Sequence, residues 1–232
     1  MRIWVFGIVL VVWGNLLHPI VGSTAILPGG SWQFVLAGAA LIAVSLVAAR
    51  VSGLNAAALG IRRAGAFRGV LIGAFGGAFI AAAAVAVMRG IAPAVIGQPV
   101  VYEPLSRVSA GDLSTHIALF LPLGTVIPEE IAFRGTFLAG LHARYGVRTA
   151  VTASAIAFAL WHGTVTFFTV MNTTMPVVLI VPAIAGAFVV LFVGGVTMAG
   201  LRVATGSLLT SIAAHWAFNA IILIGLRYQR ID

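Results

Sequence analysis

The sequence predicts an all-α fold: a polytopic transmembrane helical bundle of about seven spans. Two observations predict it. The chain is 61% hydrophobic and only 8% charged, whereas a soluble domain carries about a quarter charged residues. No charge falls between Arg2 and Arg50, between Arg148 and Arg202, or between Arg202 and Arg227. A span needs roughly 20 apolar residues to cross a hydrocarbon core about 30 Å thick. The first two runs therefore hold two spans each and the third holds one.

Taken in order, span 1 is expected at about 3–22 and span 2 at about 31–49, with Pro28-Gly29-Gly30 turning between them. Residues 50–68 form the most charged linker, with Arg50, Arg62, Arg63 and Arg68. Span 3, about 69–93, is rich in Gly and Ala, which lets helices approach closely in lipid. A polar connection follows, containing Tyr102, Glu103, Pro104, Arg107 and Asp112. Span 4 covers about 114–140 and is interrupted by Pro122 and Pro128. Span 5 begins near Arg148 and passes through His162. The Asn172-Thr173-Thr174 turn leads to span 6, about 176–200, and span 7 covers about 204–226. The whole, 1–232, reads as one integral membrane domain, without an internal repeat.

Charge and composition narrow the function classes. All thirteen basic residues are arginine, and the net charge is +8. The arginines are scattered between apolar segments, which marks topology rather than a nucleic-acid patch. With the N-terminus inside, Arg2, Arg50, Arg62, Arg63, Arg68, Arg144, Arg148 and Arg202 fall on the cytoplasmic side. Arg89, Arg107, Arg227 and Arg230 fall outside. This orients a multi-pass protein of the plasma membrane with a cytoplasmic N-terminus; its partners are the lipid bilayer and a membrane-associated protein or peptide. The start, Met1-Arg2 and an apolar run, could imitate a signal peptide, but more apolar sequence follows, as a retained first span requires. Cysteine is absent, so there is no thiol nucleophile and no disulfide framework.

Five acidic residues occur in 232 positions, and two of them, Glu129 and Glu130, are adjacent in an apolar stretch with Arg134 close by. Ionisable groups at membrane depth cost a few kcal/mol each on insertion scales and mark function by default. Residues four apart share a helix face, so Glu130 and Arg134 can pair. Glu129, rotated about 100° away, is left for another task. A structural ion pair explains one carboxylate and not its neighbour.

Two further polar clusters lie in uncharged runs: Phe158-x-x-x-His162, and His215-x-x-x-Asn219 on one helix face. Each alone is compatible with a satisfied core residue or interhelical glue. Depth joins them. At about 1.5 Å per residue, Glu129 lies about 22 Å from Arg144 and His162 about 21 Å from Arg148. His215 and Asn219 lie about 20 and 25 Å from Arg202. Three spans deliver their polar side chains to nearly one level, as a shared site would.

The three clusters, Glu129-Glu130-x-x-x-Arg134, Phe158-x-x-x-His162 and His215-x-x-x-Asn219, resemble the motifs of the CAAX protease and bacteriocin-processing (Abi) family, which includes the type II CAAX prenyl endopeptidases. Phe133-Arg134-Gly135 and Thr205-Gly206-Ser207-Leu208 are similar as well. The resemblance covers about 114–222, the expected catalytic core, and residues 1–110 share only generic membrane helices with the family. It implies an intramembrane endopeptidase. In that reading Glu129 is the general base that deprotonates water, and His162 helps hold it. Glu130 orients, supported by Arg134 and Phe158, and His215 and Asn219 donate to the oxyanion. The family has been described both as metal-dependent and as metal-free. A Zn²⁺, if used, would be held by Glu129, His162 and His215, with a water in the open position; the His-Glu-x-x-His helix signature is missing, and the metal-free route is preferred.

Two other readings fit the same residues. Buried carboxylates and histidines also build proton relays in carriers, although the repeats of many carriers are absent. A silent immunity or scaffold protein could keep the motifs for packing. The substrate, a prenylated tail or another membrane peptide, is not legible. His18 and His142 suit the membrane interface, His116 lies near the outer start of span 4, Trp161 and Trp216 are expected to pack around the site, and Tyr102 and Glu103 are expected to stay clear of substrate. Hydrolysis in a membrane needs water at Glu129, so a hydrated opening is expected, toward the cytoplasmic half, in a polar cavity between spans 4, 5 and 7.

Overall fold

The computed structural model describes residues 3–21, 28–62 and 65–229, and it is helical almost throughout. Arg2, Arg63, Arg230 and Asp232, and the side chain of His18, lie outside the described residues. The elements are α1 (Ile3–Val21), α2 (Pro28–Val51), α3 (Ala66–Ala86), α4 (Ala110–Trp161), α5 (Gly163–Met171), α6 (Ile180–Thr205) and α7 (Leu208–Arg227). Among the described residues no strand forms; one isolated antiparallel bridge joins Tyr102 to Thr173.

Among the described residues, five helices are long and apolar enough to cross a bilayer: Ser31–Val51, Ala66–Ile96, Ala110–Trp161, Val177–Thr205 and Leu208–Arg227. Ile3–Leu17 is a shorter apolar helix. The protein is thus a multi-pass membrane protein. The difference from about seven spans has a physical origin. The expected spans 4 and 5 are one helical run of 52 residues, interrupted at Gly146, whose φ of 79° and ψ of 172° are not helical. A glycine takes that conformation without the Cβ clash that bars other residues. The two arms of α4, 110–145 and 147–161, then fold back on each other, bringing Phe133 against Phe158 and Trp161. The expected turn at Pro28-Gly29-Gly30 is instead the start of α2; a proline fits the first helical turn because its missing N–H is unpaired there anyway.

The core lies between α1, α2 and the two arms of α4. Phe6, Leu10, Leu41, Phe133, Phe137, Leu141 and Phe158 are buried there. The outer faces remain apolar and exposed, as at Phe75 and Phe79 of α3 and Val181, Val189 and Val190 of α6, a surface suited to lipid tails. Close helix contacts depend on small residues. Gly69, Gly73 and Gly77 form a stripe on α3, and Gly73 and Gly77 lie directly against the backbone of Thr210 and Ala214 on α7, with no room for a Cβ. This small-residue packing is the means by which α7 is held in register, and it sets the position of His215, the residue after Ala214.

The first arm of α4 is not a uniform α-helix. Segments His116–Phe120, Pro122–Val126 and Ile131–Phe137 wind as π-helix, and the α-helical piece Ile127–Glu130 stands between the last two. Pro122 and Pro128 cannot donate a backbone hydrogen bond, and wider π turns commonly accompany functional positions. Side chains take up some of the carbonyls in this arm. Ser154 Oγ donates to Phe133 O at 3.4 Å, and Trp216 Nε1 donates to Ile117 O at 2.9 Å.

Candidate active site

Glu129 and Glu130 enter the site from the short α turn of the first α4 arm, and both are buried. Glu130 Oε1 lies 3.1 Å from Arg134 Nη1, and neither side chain has any exposed surface. The pairing anticipated from the four-residue spacing therefore forms, although Arg134 itself lies in a π turn. The guanidinium sits 4.1 Å from the centre of the Phe158 ring, a cation–π contact. Phe158 also packs edge-on to both imidazoles, 4.5 Å from His162 and 5.9 Å from His215 between ring centres.

The histidines are each held through Nδ1. His215 Nδ1 stands 2.9 Å from Glu130 Oε1, and a carboxylate paired with arginine can only accept, so Nδ1 carries the proton. His162 Nδ1 lies 2.8 Å from the carbonyl of Phe158, which likewise only accepts. In the neutral ring, Nε2 of each is then an acceptor. His162 Nε2 faces Glu129 Oε2 at 3.9 Å, and Glu129 Oε2 is buried without a hydrogen-bond partner. Oε2 of Glu130 is in the same condition. Depth matches this convergence. Glu129 lies 17 residues before Gly146 and His162 16 residues after it.

His162 is not inside a continuous span. It occupies the break between α4 and α5, with φ −86° and ψ 9°. Asn15 of α1 stitches the break. Its amide donates to Leu160 O at 2.8 Å, its carbonyl oxygen accepts from Thr164 N at 2.8 Å, and its backbone oxygen accepts from Thr164 Oγ1 at 3.0 Å. Sequence reasoning passed over Asn15. The available signal was a lone carboxamide in the uncharged run of span 1.

Asn219, one turn beyond His215 on α7, is half-buried. Among the described residues it makes no hydrogen bond to the two glutamates or two histidines. Trp161 packs on Phe133 as expected. Trp216 does not pack around the site: it is 37% exposed, and its indole is spent on Ile117.

A cavity of about 300 Å³ adjoins Glu129 and His162. Its walls come from more of the chain than three spans: Trp13 and Leu17 of α1, Phe34 of α2, Thr169 of α5 and Leu226 of α7 contribute, and the lining is mainly apolar. Its position corrects a second expectation. Leu17, Tyr102, Thr169 and Leu226 lie at the end of the bundle opposite Arg50, Arg144, Arg148 and Arg202, so the cavity extends away from the arginine-rich half. Gly14, Gly38 and Gly124 also line it, packed closely against Trp161, Pro128 and Phe34 respectively. Tyr102 lines this cavity, and burial pushes its phenol up, partly offset by a hydrogen bond with Thr169. Glu103 does not line it.

Metal-bound histidines commonly spend one ring nitrogen on a carboxylate or carbonyl, and both rings here do so. Among the described residues, however, no three His, Asp or Glu side chains are grouped to hold an ion.

Comparison with known proteins gives one match. The family model described as type II CAAX prenyl endopeptidase Rce1-like matches residues 112–221. No curated protein and no solved structure matches the chain.

Proposed function

We propose, from the match of residues 112–221 to the type II CAAX prenyl endopeptidase Rce1-like model, that the chain is a member of that protease family and an intramembrane endopeptidase that hydrolyses a peptide bond of a membrane-associated or lipidated substrate with a glutamate-activated water. One observation carries this reading: the facing pair Glu129 Oε2 and His162 Nε2, 3.9 Å apart, with the carboxylate oxygen buried and otherwise unpartnered. A single water bridges such a gap, donating one proton to each acceptor and leaving an oxygen lone pair for attack.

The water oxygen bonds to the scissile carbonyl carbon as its proton passes to Glu129. The carbonyl π electrons move onto oxygen, and His215 and Asn219 are assigned to that oxyanion, His215 from Nε2 when its ring carries both protons. Collapse breaks the C–N bond, and Glu129 returns its proton to the leaving amine. Glu130 holds His215 and is itself neutralised by Arg134. The apolar cavity supports a substrate that reaches the site from the bilayer. We place the protein in the plasma membrane with the N-terminus in the cytoplasm, on the arginine distribution.

The test is cleavage of a membrane-presented peptide library by the purified protein and by Glu129→Gln. Loss of cleavage in a folded variant supports the assignment, and unchanged cleavage removes it. Exhaustive chelation that leaves cleavage intact supports the metal-free route; loss restored by zinc removes that route.

A further inference from the structure

The arginine-rich end of the bundle holds a second cavity of about 300 Å³, distinct from the one beside Glu129. Leu54, Ala58, Leu138 and Val203 give it apolar walls, and His142 and Arg202 are its polar lining. Arg202 leaves the last turn of α6 and is 9% exposed. Its Nη2 donates to Ala58 O at 2.8 Å, while Nε is buried without a partner. The loop is shaped to receive it: at Gly60, φ +79°, an added Cβ would strike the guanidinium. Arg62 is near enough to act on Arg202 as a like charge.

Among the described residues no anion answers this charge. Glu103 and Asp112 sit at the opposite end, Glu129 and Glu130 lie at mid-depth, and among the described residues Arg202 has no ion pair. Arg134, the other deeply buried arginine, has Glu130. A desolvated guanidinium is costly unless it is paired, and a second arginine beside it raises that cost. A partner from outside the chain would supply the missing charge. Guanidinium forks match phosphate oxygens in bidentate fashion, and basic pockets between helices at a membrane surface suit lipid head groups.

We propose that this pocket binds a phosphate oxyanion, with Arg202 as its anchor, and that its source is the head group of an anionic phospholipid whose glycerol and first methylenes occupy the apolar walls. The volume is at the lower end of that usual for small-ligand sites, roughly 300–1,000 Å³. The site is independent of the hydrolytic chemistry.

The experiment uses the full chain in mild detergent, with phosphatidylglycerol, phosphatidylcholine and inorganic phosphate as separate probes, read by native mass spectrometry and by unfolding temperature. One phosphatidylglycerol is expected to be retained at least about tenfold more tightly than phosphatidylcholine, a difference of about 1.4 kcal/mol. Arg202→Met should lose that preference. Because this variant also loses the bond to Ala58, Ala139→Trp, which fills the pocket and keeps Arg202, serves as the second variant and should lose the lipid in a folded protein. Inorganic phosphate that stabilises the parent but not Arg202→Met, and that displaces the lipid, keeps the oxyanion site and names free phosphate as its source. Equal retention of both lipids by parent and Ala139→Trp, with no response to phosphate, overturns the proposal.

Discussion

His162 Nε2 stands 3.9 Å from Glu129 Oε2, beyond direct hydrogen-bond reach and within reach of one shared water. Replacing Glu129 by Gln keeps the shape of the side chain and removes the base. The expected result is a fall in peptide cleavage of about 10²–10⁴-fold, with an unfolding temperature like that of the parent. His162→Asn, which gives up Nε2, is expected to lower cleavage in the same direction. Initial rates on a membrane-presented peptide, measured beside circular dichroism of each variant, check both.

Arg134 and Glu130 have a different character, because neither is exposed and each answers the other's charge. Arg134→Leu leaves Glu130 buried with only His215, and removing one partner of a buried pair costs about 3–5 kcal/mol. The double variant Arg134→Leu with Glu130→Gln removes both charges and should recover much of that stability. It should not recover cleavage, since His215 loses its carboxylate. Thermal unfolding in detergent separates the cases: a double variant no more stable than Arg134→Leu alone would contradict the pairing.

Much of the site was legible because its background is so apolar. Against long uncharged runs, Glu129, Glu130, His162 and His215 stand out one by one, and counting rise from flanking arginines placed them at one level. Helix content was legible for the same reason. What the sequence hid depends on contacts between distant segments. Gly146 breaks the helical run inside the expected gap between spans 4 and 5, so the two arms were legible and the helical continuity up to the break was not. Trp216 follows His215 on α7 and so points about 100° away from it, where its indole reaches Ile117 O rather than the site. The side on which the cavity lies follows from where α1 and α2 meet α4 and α7, helices whose sequences read as generic.

Asn15 tests that last point. It satisfies a donor and an acceptor that the break at His162 exposes, 145 and 149 residues away in sequence. Asn15→Leu leaves Leu160 O and Thr164 N unpaired in an apolar setting, at about 1–3 kcal/mol for each such group. Part of this is expected as lower stability and part as displacement of His162, with kcat reduced by about tenfold or more and KM changed little. Asn15→Gln, longer by a methylene, should fall between the two. A full-rate Asn15→Leu enzyme would show that the break holds its shape without α1.

The close contact of α3 with α7 gives the last prediction. Gly77 meets the backbone of Ala214 directly, whereas a Cβ at Gly76, one residue earlier, would meet nothing within 4 Å. Gly77→Leu must push α7 outward, carrying His215 away from Glu130 and breaking their 2.9 Å bond. Overpacking of this kind costs about 1–3 kcal/mol, and cleavage is expected to fall further than stability alone explains. Gly76→Leu adds a side chain toward lipid and replaces a poor helix former, so it should match or exceed the parent in stability with activity intact. The pair is compared by unfolding temperature and cleavage rate in the same detergent. Equal behaviour of the two variants would mean that α3 does not hold His215 in place.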